Sequence, residues 1–206
     1  MKTDPKKELD SYRARRGEFR VLDVPPMTYL MVDGHGDPNT AQEYADALAA
    51  LYPLAYTLKF ASKRAGHDYV VPPLEALWWA EDMRAFTSAR DKSRWSWTAM
   101  LLVPAHVTRE QYDAARVEVA RKGSTPAGVE VRLESLHEGR CVQTLHVGSY
   151  DDEAPVLAAL HDEFIPAAGL RMTGRHHEIY LSDPRRVAPE RLRTILRQPV
   201  EPVEPA

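Results

Sequence analysis

The sequence predicts an α+β protein of two similar halves packed about a pseudo-twofold axis. Three observations carry that prediction. A strand–helix–strand order occurs twice, with Thr28-Tyr-Leu-Met-Val-Asp-Gly before the first helix and Gln143-Thr-Leu-His-Val-Gly before the second. Each helix is followed by an apolar strand with a lone glutamate, Glu75 in Pro73-Leu-Glu-Ala-Leu-Trp and Glu178 in His177-Glu-Ile-Tyr. A Pro/Gly/Ser stretch from Gly123 to Gly128 separates the halves.

A chain of 206 residues can bury a substantial core as one domain. Its 44% hydrophobic and 28% charged residues exclude a mostly disordered chain. Lys+Arg number 27 against 30 Asp+Glu, a formal charge of −3, which speaks against nucleic-acid binding. No uncharged apolar run approaches the ~18 residues a membrane helix needs. The polar start lacks the apolar stretch of a secretory signal, so a cytoplasmic protein is expected. Cys141 alone can form neither an internal disulfide nor a thiolate metal site.

Residues 1–18 read as an exposed polar arm or short helix, with folded chain expected from Phe19. Residues 24–33 form a strand, and Gly34, Gly36 and Pro38 punctuate a turn. Asn39 or Thr40 caps a helix through Tyr44, Leu48 and Leu51, which Pro53 ends or kinks before the pattern resumes over 56–60. Apolar segments over 69–79 and 95–103 flank a polar stretch, 80–94, that reads as a long loop or hairpin arm. Thr108 and Gln111 have capping-box form at the head of a helix through Tyr112, Ala115 and Val119. Strands at 129–136 and 141–147 precede a helix through Val156, Leu157, Leu160 and Phe164, capped by Asp151 or Asp152 and closed by Gly169. Residues 176–181 read as a strand, and a short helix over 190–196 closes the fold. The layout is thus an arm (1–18), a globular unit (19–200, with modules over about 19–122 and 129–200) and a tail (201–206).

Alternation along strands sorts side chains by face. Ile179 and Leu181 are assigned to the helix-covered core, which turns Glu178 and Tyr180 the other way. Leu145 and Val147 are core, with Thr144 and His146 opposite. Glu75, Leu77 and Trp79 share a face, as do Trp95 and Trp97, while Tyr29 and Met31 oppose Leu30 and Val32. If two sheets face one another, these second faces form a cleft walled by aromatic rings, with a glutamate from each half. A carboxylate there is costly unless partnered. Ionised, it attracts a lipophilic cation that indole and phenol faces also hold. With its pKa raised, it serves as a general acid or base. The plainer alternatives are half-exposed glutamates bonded to Arg or His, and tryptophans that only fill the core.

His176, His177 and Glu178 make a poor metal site, because strand neighbours point to opposite faces and no His-x-x-x-His spacing supports them. Gly34-x-Gly36 lacks the third glycine of a dinucleotide fingerprint, and no Gly-x-Ser-x-Gly elbow or phosphate loop is present. Neither metal nor cofactor is expected. Cys141, in a strand beside the core, reads as buried and inert.

Several stretches together resemble the GyrI-like small-molecule-binding family in its stand-alone two-module form. They are Asp68-Tyr-Val-Val-Pro-Pro-Leu-Glu-Ala-Leu-Trp-Trp, Trp95-Ser-Trp-Thr, Glu138-Gly-Arg-Cys-Val-Gln-Thr-Leu-His-Val-Gly-Ser-Tyr-Asp-Asp-Glu, and His176-His-Glu-Ile-Tyr-Leu-Ser-Asp-Pro-Arg-Arg with Thr194-Ile-Leu-Arg-Gln-Pro-Val. The resemblance implies two strand–helix–strand–strand modules with antiparallel sheets, helices on the outer faces and a central ligand groove. Related domains are the effector-binding parts of multidrug-responsive transcription regulators, where a buried glutamate meets cationic aromatic drugs; Glu178 is the matching position. Some stand-alone members hydrolyse the strained cyclopropane of DNA-alkylating natural products, so Glu178, Tyr180 and Tyr150 are the implied catalytic candidates. Glu75, Trp79, Trp97, Tyr29, His146 and Tyr69 are the ligand-binding candidates. Ala76 stands where the family is expected to carry glycine, and its methyl would narrow the groove.

Three functions are expected. The first is a binder of amphipathic aromatic or cationic small molecules, of the drug- or toxin-resistance type. The second is a hydrolase that opens such cyclopropanes. The third, an effector-binding transcription regulator, is disfavoured because residues 1–18 are too short for a helix-turn-helix. The expected partner is a small amphipathic molecule, without nucleic acid or membrane, bound by a monomer or homodimer.

Overall fold

The computed structural model describes residues 2–81 and 91–203. A helical turn, α1 (Pro5–Glu8), is capped by the Asp4 side chain, which accepts from the Lys6 amide. Strands β1 (Arg20–Val24) and β2 (Met27–His35) lead to the long helix α2 (Gln42–Arg64), then to β3 (Leu74–Trp79) and β4 (Ser96–Val103). Helix α3 (Arg109–Arg121) begins at the expected capping box, with Thr108 and Gln111 each accepting from the other's amide. The second half holds β5 (Arg132–Leu136), β6 (Gly139–Val147) and α4 (Ala154–Ala158). A π-helical segment (Ala159–Phe164) and α5 (Ile165–Ala167) continue from α4, followed by β7 (Leu170–Met172), β8 (His176–Tyr180) and β9 (Arg193–Pro202).

The strands form one antiparallel sheet in the order β1-β6-β9-β8-β3-β4-β2-β5, with β7 added to β9. Its six inner strands read as a palindrome, β6, β9 and β8 mirroring β2, β4 and β3. The duplicated pattern in the sequence thus builds one continuous sheet, joined at β3–β8, in place of two facing sheets. Helix α2 packs on β2 and β4, and the π segment packs on β6. Leu30, Leu101, Val142 and Leu196 form one core with Leu51 and Leu54 of α2 and Leu157 and Leu160 of the second helical stretch. The two helical elements therefore cover the same face.

The other face buries Tyr29, Met31, Met100, Ile179 and Ile195 beneath Tyr12. The segment before Phe19 holds the short helix α1, one of the two alternatives read from the sequence, and contributes to the fold at a few positions. Thr3 bridges Tyr69, while Ser11 and Tyr12 are buried against the sheet.

Other expectations are corrected by tertiary packing. Helix α2 runs through Pro53 because Ala50, Leu51, Leu54 and Leu58 lie buried along its length, offsetting a proline cost of about 3 kcal/mol. Its N-cap is Ala41 rather than Asn39 or Thr40, and Glu153 precedes α4 without the side-chain cap expected from Asp151 or Asp152. Gly34 does not start a turn. It lies within β2 opposite Trp97, where an added Cβ would sit 2.1 Å from the indole ring. Glycine there admits the ring against the backbone.

The helix expected over 190–196 is a 3₁₀ turn at Pro189–Arg191 followed by β9. β9 is buried on both faces between β6 and β8, so its apolar residues lack the one-sided alternation that marks a half-exposed strand. Of the loop or hairpin arm expected over 80–94, residues 82–90 lie outside the described residues, and Lys92–Arg94 form a 3₁₀ turn. Cys141 is buried, and burial pushes its thiol up to about 12, as expected of an inert cysteine. Among the described residues, no helix is long and apolar enough to cross a membrane, and no group of three or more His, Cys, Asp or Glu is placed to hold a metal.

Candidate functional site

Each helical element covers its own half of the sheet, which leaves the central β3–β8 pair uncovered. A groove of about 1510 Å³ opens there. Antiparallel pairing sets Ala76 opposite Glu178 and Trp78 opposite His176, so these side chains share the helix-bearing face. Glu178 is only 7% exposed and lines the groove. Tyr180 donates to its Oε2 at 2.7 Å, and the same phenol oxygen accepts from Trp78 Nε1 at 3.0 Å. The indole thereby points the phenol proton at the carboxylate.

The walls are aromatic. Tyr44, Leu48 and Tyr52 of α2 form one side, with Leu157 and His161 on the other. Tyr44 stacks at 6.2 Å on Trp78, which meets Trp95 edge-on at 5.5 Å; Tyr150 meets Tyr180 edge-on at 5.5 Å. Burial first, then the Glu178 charge, raises Tyr180 well above the ordinary phenol range. Burial, then Glu153 and Glu178, raises Tyr150 to about 12. Both phenols are therefore proton donors at neutral pH. Five carboxylates line the groove against three basic side chains among the described residues. Lys92 pairs with Asp151 at 2.8 Å and Arg185 with Asp183 at 2.9 Å. The lining is apolar with a negative balance.

Of the residues singled out from the sequence, Glu178, Tyr180 and Tyr150 come together in this groove. Trp95 lines it too, but the six ligand-binding candidates do not. Glu75, Tyr29 and Trp79 lie on the opposite face; Glu75 is 0% exposed, and Trp79 carries the Arg175 guanidinium 3.5 Å above its ring. Trp97 is buried behind Tyr44, which it meets edge-on at 5.0 Å. His146 bonds the Ser149 carbonyl at 2.9 Å, and Tyr69 packs edge-on to His106 at 6.0 Å. The cleft between second faces is thus corrected to a groove on the helix-bearing face. Ile179 belongs to the other face, with Tyr29 and Met100.

The two glutamates are one register step apart: Glu178 pairs with Ala76, while Glu75 pairs with Ile179. One step on a strand is the opposite face. Trp78, Tyr44 and Tyr52 were missed, although the adjacent Trp78 and Trp79 had to serve opposite faces of one strand.

Glu75 belongs to a buried polar network. It accepts from Tyr12 Oη and from His177 Nε2, the latter at 2.9 Å. His177 Nδ1 donates to Glu138 at 2.9 Å, and Arg197 donates to Glu138 at 2.7 Å, to Gln143 at 3.0 Å and to the Ser11 carbonyl at 2.7 Å. Burial opposes charge on Glu138, but His177 and Arg197 outweigh it and hold the carboxyl at about 2. Burial likewise opposes the His177 charge, yet Glu138 and Glu75 raise its pKa. The network ties the N-terminal segment to four strands, β3, β6, β8 and β9.

A solved structure of an uncharacterized conserved protein from Listeria innocua is similar over 97% of this chain and 100% of that one, at 40% identity and a TM-score of 0.86. A structure described as a hydrolase from Listeria innocua is also 40% identical, with a TM-score of 0.83 over 98% and 100% of the two chains. The C-terminal domain of EcmrR shares the fold at a TM-score of 0.54 and 11% identity, over 90% of this chain and 98% of that one. No curated protein matches the chain. The GyrI-like small molecule binding domain profile covers residues 17–201, the same span that builds the palindromic sheet and its groove, and the chain belongs to that family.

Proposed function

We propose that the protein binds amphipathic aromatic cations in the groove over β3 and β8, in a drug- or toxin-resistance role. The observation that carries this reading is Glu178, a carboxylate nearly closed off from water among indole and phenol rings. Such a carboxylate favours a diffuse organic cation, whose shallow hydration makes desolvation cheap and whose charge the ring faces also attract. Titration with a fluorescent aromatic cation, beside a neutral and an anionic dye of similar size, tests it. Selective binding of the cation is expected, and equal affinity for all three would reject the reading.

A second reading is favoured by the hydrolase from Listeria innocua, 40% identical over nearly the full length. In it, Glu178 takes a proton from a water whose oxygen bonds to the activated cyclopropane carbon. The ring C–C bond breaks and its electron pair passes into the conjugated carbonyl, leaving a phenolate that the Tyr150 hydroxyl stabilises. Tyr180, bonded to Glu178 at 2.7 Å, orients the base. Mass spectrometry of a cyclopropane-bearing alkylating natural product incubated with the protein should show addition of one water. Recovery of unchanged compound with active-site concentrations of protein would remove this reading.

A further inference from the structure

The buried polar side chains of the groove include an imidazole beside its carboxylates. His161 stands in the π-helical segment Ala159–Phe164 and lines the wall facing α2. A π turn adds one residue to the α-helical register, rotating the helix beyond it by about 100°. Such insertions are frequent at functional sites. Here the segment buries two consecutive residues, Leu160 in the core and His161 beside the groove.

His161 is 4% exposed, and its Nε2 has no hydrogen-bond partner among the described residues. A buried nitrogen without a hydrogen bond is costly, and a water, an ion or a polar group of a ligand can satisfy it. Burial pushes the imidazole down to about 4, so at neutral pH it is an uncharged ring with one donor and one acceptor nitrogen. The ring meets His176 edge-on at 5.2 Å, and His176 Nε2 is 3.8 Å from Glu178 Oε1. His161 therefore stands one imidazole beyond the carboxylate along the same groove. An uncharged imidazole does not repel a bound cation, and it can discriminate among ligands by hydrogen bonding.

We propose that His161 contacts the ligand and makes the groove select aromatic cations that also carry a hydroxyl group. This rests on the cation-binding reading and adds a polar requirement to it. The hydroxyl either donates to the bare ring nitrogen or accepts from the protonated one.

Titration calorimetry with benzyltriphenylphosphonium and its 4-hydroxybenzyl analogue, against wild type, His161→Phe and Glu178→Gln, tests the proposal. Wild type is expected to bind the hydroxylated cation about tenfold more tightly, the size of one hydrogen bond to an otherwise unpaired buried group. His161→Phe should abolish the preference, so that the two cations bind with equal affinity. Glu178→Gln should weaken both alike. Loss of the hydroxyl preference from wild type, or its survival in His161→Phe, overturns the proposal. Equal affinity of the parent cation for wild type and Glu178→Gln overturns the cation reading instead, and absence of all binding overturns both. Ring-nitrogen NMR of wild type supplies a check that needs no variant. The His161 resonance should move with the hydroxylated cation and not with the parent, and an identical response to both would overturn the proposal.

Discussion

Glu178→Gln is expected to weaken binding of an aromatic cation by about ten- to a hundredfold, while a neutral dye of the same size keeps its affinity. The substitution is close to isosteric. The amide oxygen can still accept from Tyr180, so the Trp78–Tyr180–178 chain of hydrogen bonds persists and the change is mainly one of charge. Two unit charges about 4 Å apart attract by on the order of 4 kcal/mol at an effective dielectric near 20. Desolvation of the cation and carboxylate offsets part of that, leaving roughly 1.4–3 kcal/mol, which is the stated range. The ring faces of Trp78 and Tyr44 continue to hold an aromatic body, so affinity should fall without vanishing. Fluorescence titration of both proteins with both dyes reads the effect. An unchanged cation affinity in Glu178→Gln would show that the carboxylate is not the recognition element.

The largest effect on stability is expected at Glu138. Glu138→Gln should destabilise the fold by about 3–5 kcal/mol, the usual consequence of removing one partner of a buried ion pair. That is a large part of the roughly 5–15 kcal/mol that holds a typical domain together. The side chain is 3% exposed and is shared by His177 and Arg197, both fully buried, so its loss leaves two cationic groups short of a counter-charge in a dry interior. The tie to the N-terminal segment weakens as well, because Arg197 also bonds the Ser11 carbonyl.

The pH dependence has a defined sign. Glu138 is depressed from an ordinary 4.5 to about 2, so its contribution is present above 4.5 and is lost as pH falls toward 2. His177 is raised above 6.5, so its contribution is full below 6.5 and is lost as pH rises through its folded value. Wild-type stability from this network therefore peaks between about pH 4.5 and 6.5. Urea unfolding of both proteins across pH should show the largest gap in that window, shrinking toward pH 2 and toward alkaline pH. A gap that stayed constant with pH would mean that the charges of this network do not stabilise the fold.

Much of the fold was legible in local patterns. Thr108 and Gln111 announced α3 because a capping box satisfies two orphan amides within four residues, needing nothing from the rest of the chain. The repeated strand–helix–strand order foretold the palindrome of β6-β9-β8 against β3-β4-β2. Glu178, Tyr180 and Tyr150 were named from motif resemblance, and they do line one groove. Pro53 and residues 190–196 misled for a common reason: both lie in segments whose burial overrides local preference. α2 is held by its buried leucines, and β9 is buried on both sides, which hides the one-sided alternation of a strand. The π segment left no local mark, since it arises where Leu160 and His161 must both turn inward.

Alternation along the chain was enough to say which residues share a face. It put Glu178 with Tyr180 and Glu75 with Trp79, because successive strand side chains point to opposite sides. Which of those faces carries the helices and the groove depended on packing between distant segments. Apolar burial on both faces of the sheet, against the helices and the rings of the groove on one side and the Tyr12 segment on the other, removes the polar stripe that would have marked an outside. The register of β3 against β8 then settled the outcome, placing Glu178 in the groove beside Ala76 and sending Glu75, one residue away, into the ion network behind the sheet.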